Sequence, residues 1–365
     1  MTNPPIAYSA DLEQIEDNEA ETDASLEKSF DHILETTAQD YGRPVRAVHA
    51  KAHGLFEGTF TVDANLPPEL AQGLFTQAGR YDAALRISTN PGDILDDNVV
   101  LPRGLALKVE GVPGAYLPTA EGDAQDFLFV NGPVFATARA DQFAGKLKLL
   151  AATTDRAPGA KVALSTVLGF INSALGKVGL ESSALAAMGG APQVHPLGET
   201  YFSTTPFRYG DHVAKFRLRP LSPALTALSG QVIDTSGRPD GLRETIREDA
   251  ANLTGEWAFE VQLLRDLDRQ PVEDASVEWP EEVSPFVQVA TLRVEPQDSW
   301  SADKVQRIDE TLHFSPWNGL EAHRPLGGIN RARRRAYRHS ADFRVAAQQG
   351  CPVAHAEAPA SQPTA

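Results

Sequence analysis

The 365-residue chain carries 33 Lys+Arg against 49 Asp+Glu, a formal net charge of −16, with 42% hydrophobic residues. That balance argues against a nucleic-acid binder and against binding to an anionic membrane surface, since both need a basic face. A single cysteine, Cys351, excludes a disulfide scaffold and cysteine-based zinc or iron–sulfur sites, and no run of 18 apolar residues reads as membrane-spanning.

The start, Met1-Thr2-Asn3-Pro4-Pro5, lacks a basic segment followed by an apolar one, so no signal peptide is expected and the expected location is cytoplasmic. Residues 1–20 are polar and acidic and read as mobile. A helix follows, with Leu26, Phe30, Ile33 and Leu34 on one stripe, Asp23 or Ser25 as its cap, and Gly42 and Pro44 ending it. The pattern then predicts strands over 45–51, 54–63, 82–89, 103–110 and 126–131, with a short helix at 68–78. Residues 140–188, rich in Ala, Leu, Gly and Ser, read as two or three helices. Strands are expected over 199–206, 211–218, 257–264 and 286–294, a helix over 241–253, and a last helix over 325–347. Residues 348–365 have little apolar content and read as a disordered tail. The fold class is α+β: one large domain with a mainly antiparallel sheet or barrel and helical insertions. Its expected limits are an arm and helix over 1–43, the main domain over 44–347, and the tail.

Common catalytic signatures are missing. The sequence has no G-x-x-x-x-G-K-[ST], no G-x-S-x-G and no H-E-x-x-H. The informative segment is the last helix, with Arg331, Arg333, Arg334, Arg335, Arg338 and Arg344 around Tyr337. At roughly 100° per residue, Arg333, Tyr337 and Arg344 fall within about 40° of one another. A guanidinium beside a phenol stabilises the phenolate, which is a hard ligand for ferric iron. The same pattern also describes a solvated basic face, or one that pairs with the protein's own carboxylates. In Arg46-Ala47-Val48-His49-Ala50-Lys51, read as a strand, Arg46, Val48 and Ala50 share one face and His49 points to the other. His49 there is either a core histidine or a general base.

Taken in order, these segments resemble haem catalases. Arg46-x-Val48-His49-Ala50-Lys51 is similar to that family's distal-histidine segment. Leu85-Arg86-Ile87-Ser88-Thr89 resembles A-R-F-S-T, and Arg103-Gly104-Leu105-Ala106-Leu107-Lys108 resembles R-G-F-A-x-K. Asp126 through Asn131-Gly132-Pro133-Val134-Phe135 resembles D-x-x-x-x-N-x-P-V-F, and Arg333-x-x-x-Tyr337 with Arg344 resembles the proximal-tyrosine helix. The resemblance implies a catalase-like antiparallel barrel of about eight strands that binds haem b. Tyr337 would be the axial iron ligand, held as a phenolate by Arg333; tyrosinate ligation is an established haem mode in catalase. His49 would be the acid–base group, Asn131 a hydrogen-bond donor to peroxide, and Ser88 the group that orients His49. Arg46, Arg86 and Arg344 would pair with the haem propionates, and Phe143 would pack on the haem.

The implied activity is reduction of hydrogen peroxide or organic hydroperoxides through a ferryl intermediate, using a donor the sequence does not identify. Alternatives on the same scaffold are a fatty-acid hydroperoxide isomerase or lyase, and a haem-binding protein without turnover. The chain is expected to lack the C-terminal helical domain of full-length catalases, and Ala341 stands where they often carry a histidine. These departures, with the 317–331 segment, resemble a smaller peroxidase-like branch, while Val48 weighs for peroxide reduction. A homo-oligomer is compatible with the family, and the insertion at 160–190 has no counterpart in it.

Overall fold

The computed structural model of the protein describes residues 3–154 and 193–350. The later part of the helical stretch expected over 140–188, the 160–190 insertion, Cys351 and nearly all of the expected tail lie outside the described residues.

Nine strands form one antiparallel sheet: β1 (Ala52–Val62), β2 (Gly79–Thr89), β3 (Arg103–Val109), β4 (Gln125–Val130), β5 (Tyr201–Phe202), β6 (Phe207–Tyr209), β7 (His212–Pro220), β8 (Gly255–Leu263) and β9 (Val287–Val294). Their order is β5-β4-β3-β2-β1-β9-β8-β7-β6, and β5 also pairs with β7. That last pairing closes eight strands into a barrel and leaves β6 as a hairpin partner of β7. Closure removes the free edges of an open sheet. The barrel is packed solid rather than hollow. Phe127 meets Phe259 at 4.8 Å and Phe216 at 5.2 Å between ring centroids, and Phe60 meets Phe259 at 5.3 Å. Phe75, Tyr209 and the buried His323 pack among these rings and fill the barrel core.

A helical layer covers part of that wall. It consists of α1 (Glu19–Tyr41), α2 (Ala140–Thr154) and α4 (Gly328–Gly350); α3 (Gly241–Ala250) sits elsewhere, against β1. Leu26, Phe30, Ile33 and Leu34 are buried as the stripe required, packing with Ala140, Ala144 and Leu147 of α2 and Ile329, Ala332 and Ala336 of α4. Helix α1 starts at Glu19, ahead of the expected caps, and stops at Gly42, whose φ of +65° is costly for residues with a side chain.

Several expectations need correcting. Residues 45–51 are not a strand. The segment is an irregular loop whose backbone bonds run to another loop, His49 N–H to Asn90 O at 2.6 Å and Ala50 N–H to Pro91 O at 3.0 Å. His49 takes the left-handed conformation, φ +56°. The 68–78 helix is only a 3₁₀ turn at Gly73–Thr76, the 199–206 strand shrinks to two residues, and β6 was not anticipated. Residues 3–18 are docked rather than mobile. Ile6 and Tyr8 donate backbone bonds to Leu264 and Asp211, and Glu13 pairs with Arg331 at 2.7 Å. An acidic composition looks mobile only when its cationic partner, 318 residues away, is not considered.

Candidate functional site

Between the barrel wall and the helical layer runs a cleft of two contiguous cavities, with about 1130 and 780 Å³ of space, the solvent at their mouths included. His49, Val48, Phe129, Arg333 and Tyr337 line both. Asn131 and Phe143 line the larger, and Arg46, Arg86, Ser88 and Arg344 the smaller. The nine residues that the sequence nominated, scattered over about 300 positions, therefore meet on one cleft. Arg46 and His49, expected on opposite faces of a strand, both line the smaller cavity because the left-handed turn at His49 breaks the alternation.

The barrel register builds the seat of His49. Leu85 and Ile87 join the barrel core, so Arg86 and Ser88 project from the other face of β2. Ser88 is paired across the ladder with Gly104, and Gly104 with Val130. Ser88 Oγ lies 3.2 Å from His49 Nδ1. A Cβ on Gly104 would stand 2.7 Å from the same Nδ1, with Cε1 closer still. The serine thus supports the ring edge while its cross-strand neighbour leaves room for the ring itself. Burial first, then the charges of Arg86, Arg333 and Arg46, push the His49 pKa down to about 3. With so low a pKa the imidazole is neutral at physiological pH, and in the tautomer whose Nδ1–H donates to Ser88 Oγ, Nε2 keeps its lone pair.

Asn131 is held by two partners of opposite polarity. Its Oδ1 accepts the Arg103 backbone N–H at 2.9 Å, and its Nδ2 donates to Glu199 Oε1 at 2.9 Å. The Arg103 side chain bonds the other Glu199 oxygen and also donates to Gln193 at 2.9 Å. Burial works against the Arg103 charge, but Glu199 outweighs it and raises the Arg103 pKa. Neither Arg103 as a side chain nor Glu199 was nominated from sequence, because nothing local links positions 96 residues apart.

At the other end three guanidiniums converge. Arg46 donates to Asp309 at 2.9 Å and to Leu312 O at 3.1 Å; Arg86 donates to the same Asp309 oxygen at 2.7 Å and to Ala50 O at 3.2 Å. Among the described residues Arg344 reaches only Glu310 O, at 3.4 Å, and its buried Nε has no partner. Asp309 comes from a π-helical turn, Val305–Thr311, a feature often found at functional sites. Despite burial, Arg86 and Arg46 hold its carboxyl down at about 2. Glu310 is taken by Arg43 at 3.0 Å. Three buried or nearly buried arginines thus gather around one carboxylate, two of them bonded to it: burial, then Arg86 and Arg344, drive Arg46 well below its ordinary pKa, while burial and Arg86 bring Arg344 to about 10.

Helix α4 divides its arginines by face. Arg331, Arg335 and Arg338 pair with carboxylates, Glu13, Glu19 and Glu273 for the first, Glu27 for the second, Glu121 and Asp342 for the third. Arg333 instead turns into the cleft, donating to the Tyr337 hydroxyl at 3.2 Å and to Asn330 Oδ1 at 3.2 Å. Phe143, on α2, packs against Phe135 with tilted rings, 5.3 Å between centroids. Pairing with the protein's own carboxylates accounts for Arg331, Arg335 and Arg338, whereas Arg333 is turned toward Tyr337.

No protein-family model matches the sequence, and no curated protein matches it. Solved structures do. Catalase A from Saccharomyces cerevisiae is 16% identical with a TM-score of 0.61, over 85% of this chain and 63% of that one. A fungal catalase is 18% identical with a TM-score of 0.61, over 86% and 62%, and a bacterial catalase 17% identical with a TM-score of 0.59, over 86% and 60%. The chain thus spans 60–63% of the length of these catalases. The shared feature is the fold, a closed antiparallel barrel with flanking helices.

Proposed function

We propose that this chain binds haem in the cleft and reduces peroxides. The observation that carries this reading is the charge at the arginine end. Three guanidiniums against one carboxylate leave two positive charges in a desolvated pocket, where like charges are costly. A dianion removes that cost, and the two haem propionates are one. The unpartnered Arg344 Nε supplies an unused donor for them. Bidentate guanidinium–carboxylate geometry suits the contact. Apolar side chains of Phe30, Phe129, Phe135, Phe143 and Ile329 suit the rest of a flat macrocycle. Tyr337, hydrogen-bonded by Arg333, would hold the iron through its phenolate oxygen.

Bound haem iron supplies the redox chemistry that breaks the O–O bond. The chain's own residues handle the protons. Neutral His49 accepts the peroxide proton at Nε2 and returns it to the departing oxygen, while Ser88 keeps Nδ1 fixed. Asn131 donates a hydrogen bond to the peroxide. Reduction of ROOH to ROH and water takes two electrons and two protons, drawn from a second peroxide or an organic donor. The apolar lining of the larger cavity favours organic hydroperoxides, the preference of the smaller branch, with haem b as the cofactor. Among the described residues no helix is long and apolar enough to cross a membrane.

The test is haem titration of the purified protein followed by its Soret spectrum. Stoichiometric binding with a tyrosinate-type band, lost or shifted in Tyr337→Phe, is expected, as is peroxide consumption that falls in His49→Ala. A chain that takes up no haem refutes the reading, and so does a His49→Ala variant with full activity.

A further inference from the structure

Resting on that reading, we infer that Glu199, clamped by Arg103, is a positioning residue that decides which end of the Asn131 carboxamide the peroxide meets. An asparagine side chain has a donor end and an acceptor end of nearly equal size, and a cavity alone does not choose between them. Here the choice is made twice. The Arg103 backbone N–H can only donate, so it takes Oδ1, and an ionised carboxylate can only accept, so Glu199 takes one Nδ2 hydrogen. One N–H is left over, on a side chain that lines the same cavity as His49. Arg103 keeps Glu199 in this role by occupying its second oxygen, and Gln193 fixes the far side of the guanidinium while bonding Asp97 O at 2.6 Å and Val99 O at 3.1 Å. The device is remote in sequence: Gln193 and Glu199 come from the segment just ahead of β5, whereas Asn131 and Arg103 belong to the ends of β4 and β3.

The informative substitution is Glu199→Gln, which keeps size and shape but can present either a donor or an acceptor. With Arg103 holding the new carboxamide oxygen, its NH2 group faces Asn131 Nδ2, and only the Arg103 backbone N–H then opposes a turn of the Asn131 oxygen into the cavity. In the haem-loaded protein we expect fluoride, a small acceptor of distal hydrogen bonds, to bind about tenfold more weakly, and kcat/KM for hydrogen peroxide to fall by a similar factor through KM and kcat together. Asn131→Ala should weaken fluoride binding likewise, and the double variant should be no weaker than Asn131→Ala alone, because both changes remove one interaction. Additive losses, or a Glu199→Gln protein with wild-type fluoride affinity, overturn the assignment.

A third measurement does not depend on haem. The Asn131 side-chain amide signal, identified by its disappearance in Asn131→Ala, should lie downfield in the haem-free wild type and move upfield in Glu199→Gln. If that shift is seen in a chain that binds no haem, the haem reading fails and the positioning contact stands. If it is absent, the positioning contact fails whatever the chain binds.

Discussion

Replacing Gly104 by alanine probes the seat of His49 with a single methyl group. The new Cβ would lie 2.7 Å from Nδ1, where carbon and nitrogen ordinarily rest at about 3.5 Å or more, so the ring has to withdraw by roughly 1 Å. Withdrawal breaks the 3.2 Å contact to Ser88 Oγ, because Ser88 sits directly across the ladder from Gly104 and cannot follow. The backbone of His49 cannot adapt either, being pinned in a left-handed conformation by its bond to Asn90 O. Overpacking of this kind costs about 1–3 kcal/mol, and the low end is expected here because the obstacle is a side-chain ring. A displacement of roughly 1 Å in a general base costs on the order of 100-fold in rate. The expected result is a protein that loses little stability in urea, keeps its haem stoichiometry, and loses about 100-fold in kcat/KM for peroxide. Ser88→Ala, which removes the support without a clash, should lose less, about tenfold. A Gly104→Ala protein with wild-type kcat/KM would refute the placement of His49 as the acid–base group.

Arg344→Met should leave the haem-free protein as stable as wild type or more so, since it relieves repulsion with Arg86. It should also weaken haem binding tenfold or more; a loss of apoprotein stability with unchanged haem affinity would contradict the charge argument. Two buried imidazoles, His49 and His323, have folded pKa values pushed down to about 3, in both cases by burial foremost. Their contribution to stability is complete above the ordinary value of about 6.5 and is lost as pH falls from there toward 3, by up to about 1.4 kcal/mol per pH unit for each. NMR of the haem-free protein should show neither ring titrating between pH 8 and 5; a midpoint near 6.5 for either would count against its burial. Arg331→Ala leaves Glu13, Glu19 and Glu273 without their shared cation. Limited proteolysis should then cut within residues 3–18, a segment expected to resist in wild type.

Much of the fold was legible because hydrophobic periodicity reports burial directly. The Leu26-Phe30-Ile33-Leu34 stripe, strands β1 to β4 and β7 to β9, and the arginine-rich helix all announce themselves within a dozen residues. The short elements did not. Two-residue β5 and three-residue β6 are too brief for a pattern, yet β5 closes the barrel. The loop carrying His49 was misread because its alternating residues look like a strand, whereas its backbone bonds go to another loop.

The sequence by itself nominated the residues proposed to carry chemistry. His49, Ser88, Asn131, Arg333 and Tyr337 stand in motifs whose residue types and order survive without any structure. It also nominated Arg46, Arg86 and Arg344 as partners for an anionic group. Only the tertiary structure decided how those charges balance. Asp309, Glu199 and Arg103 reach their partners across 263, 68 and 96 positions, through a barrel register and a π-helical turn that no local window contains. Electrostatics depends on distance in space and on desolvation, and neither is written in the spacing along a chain.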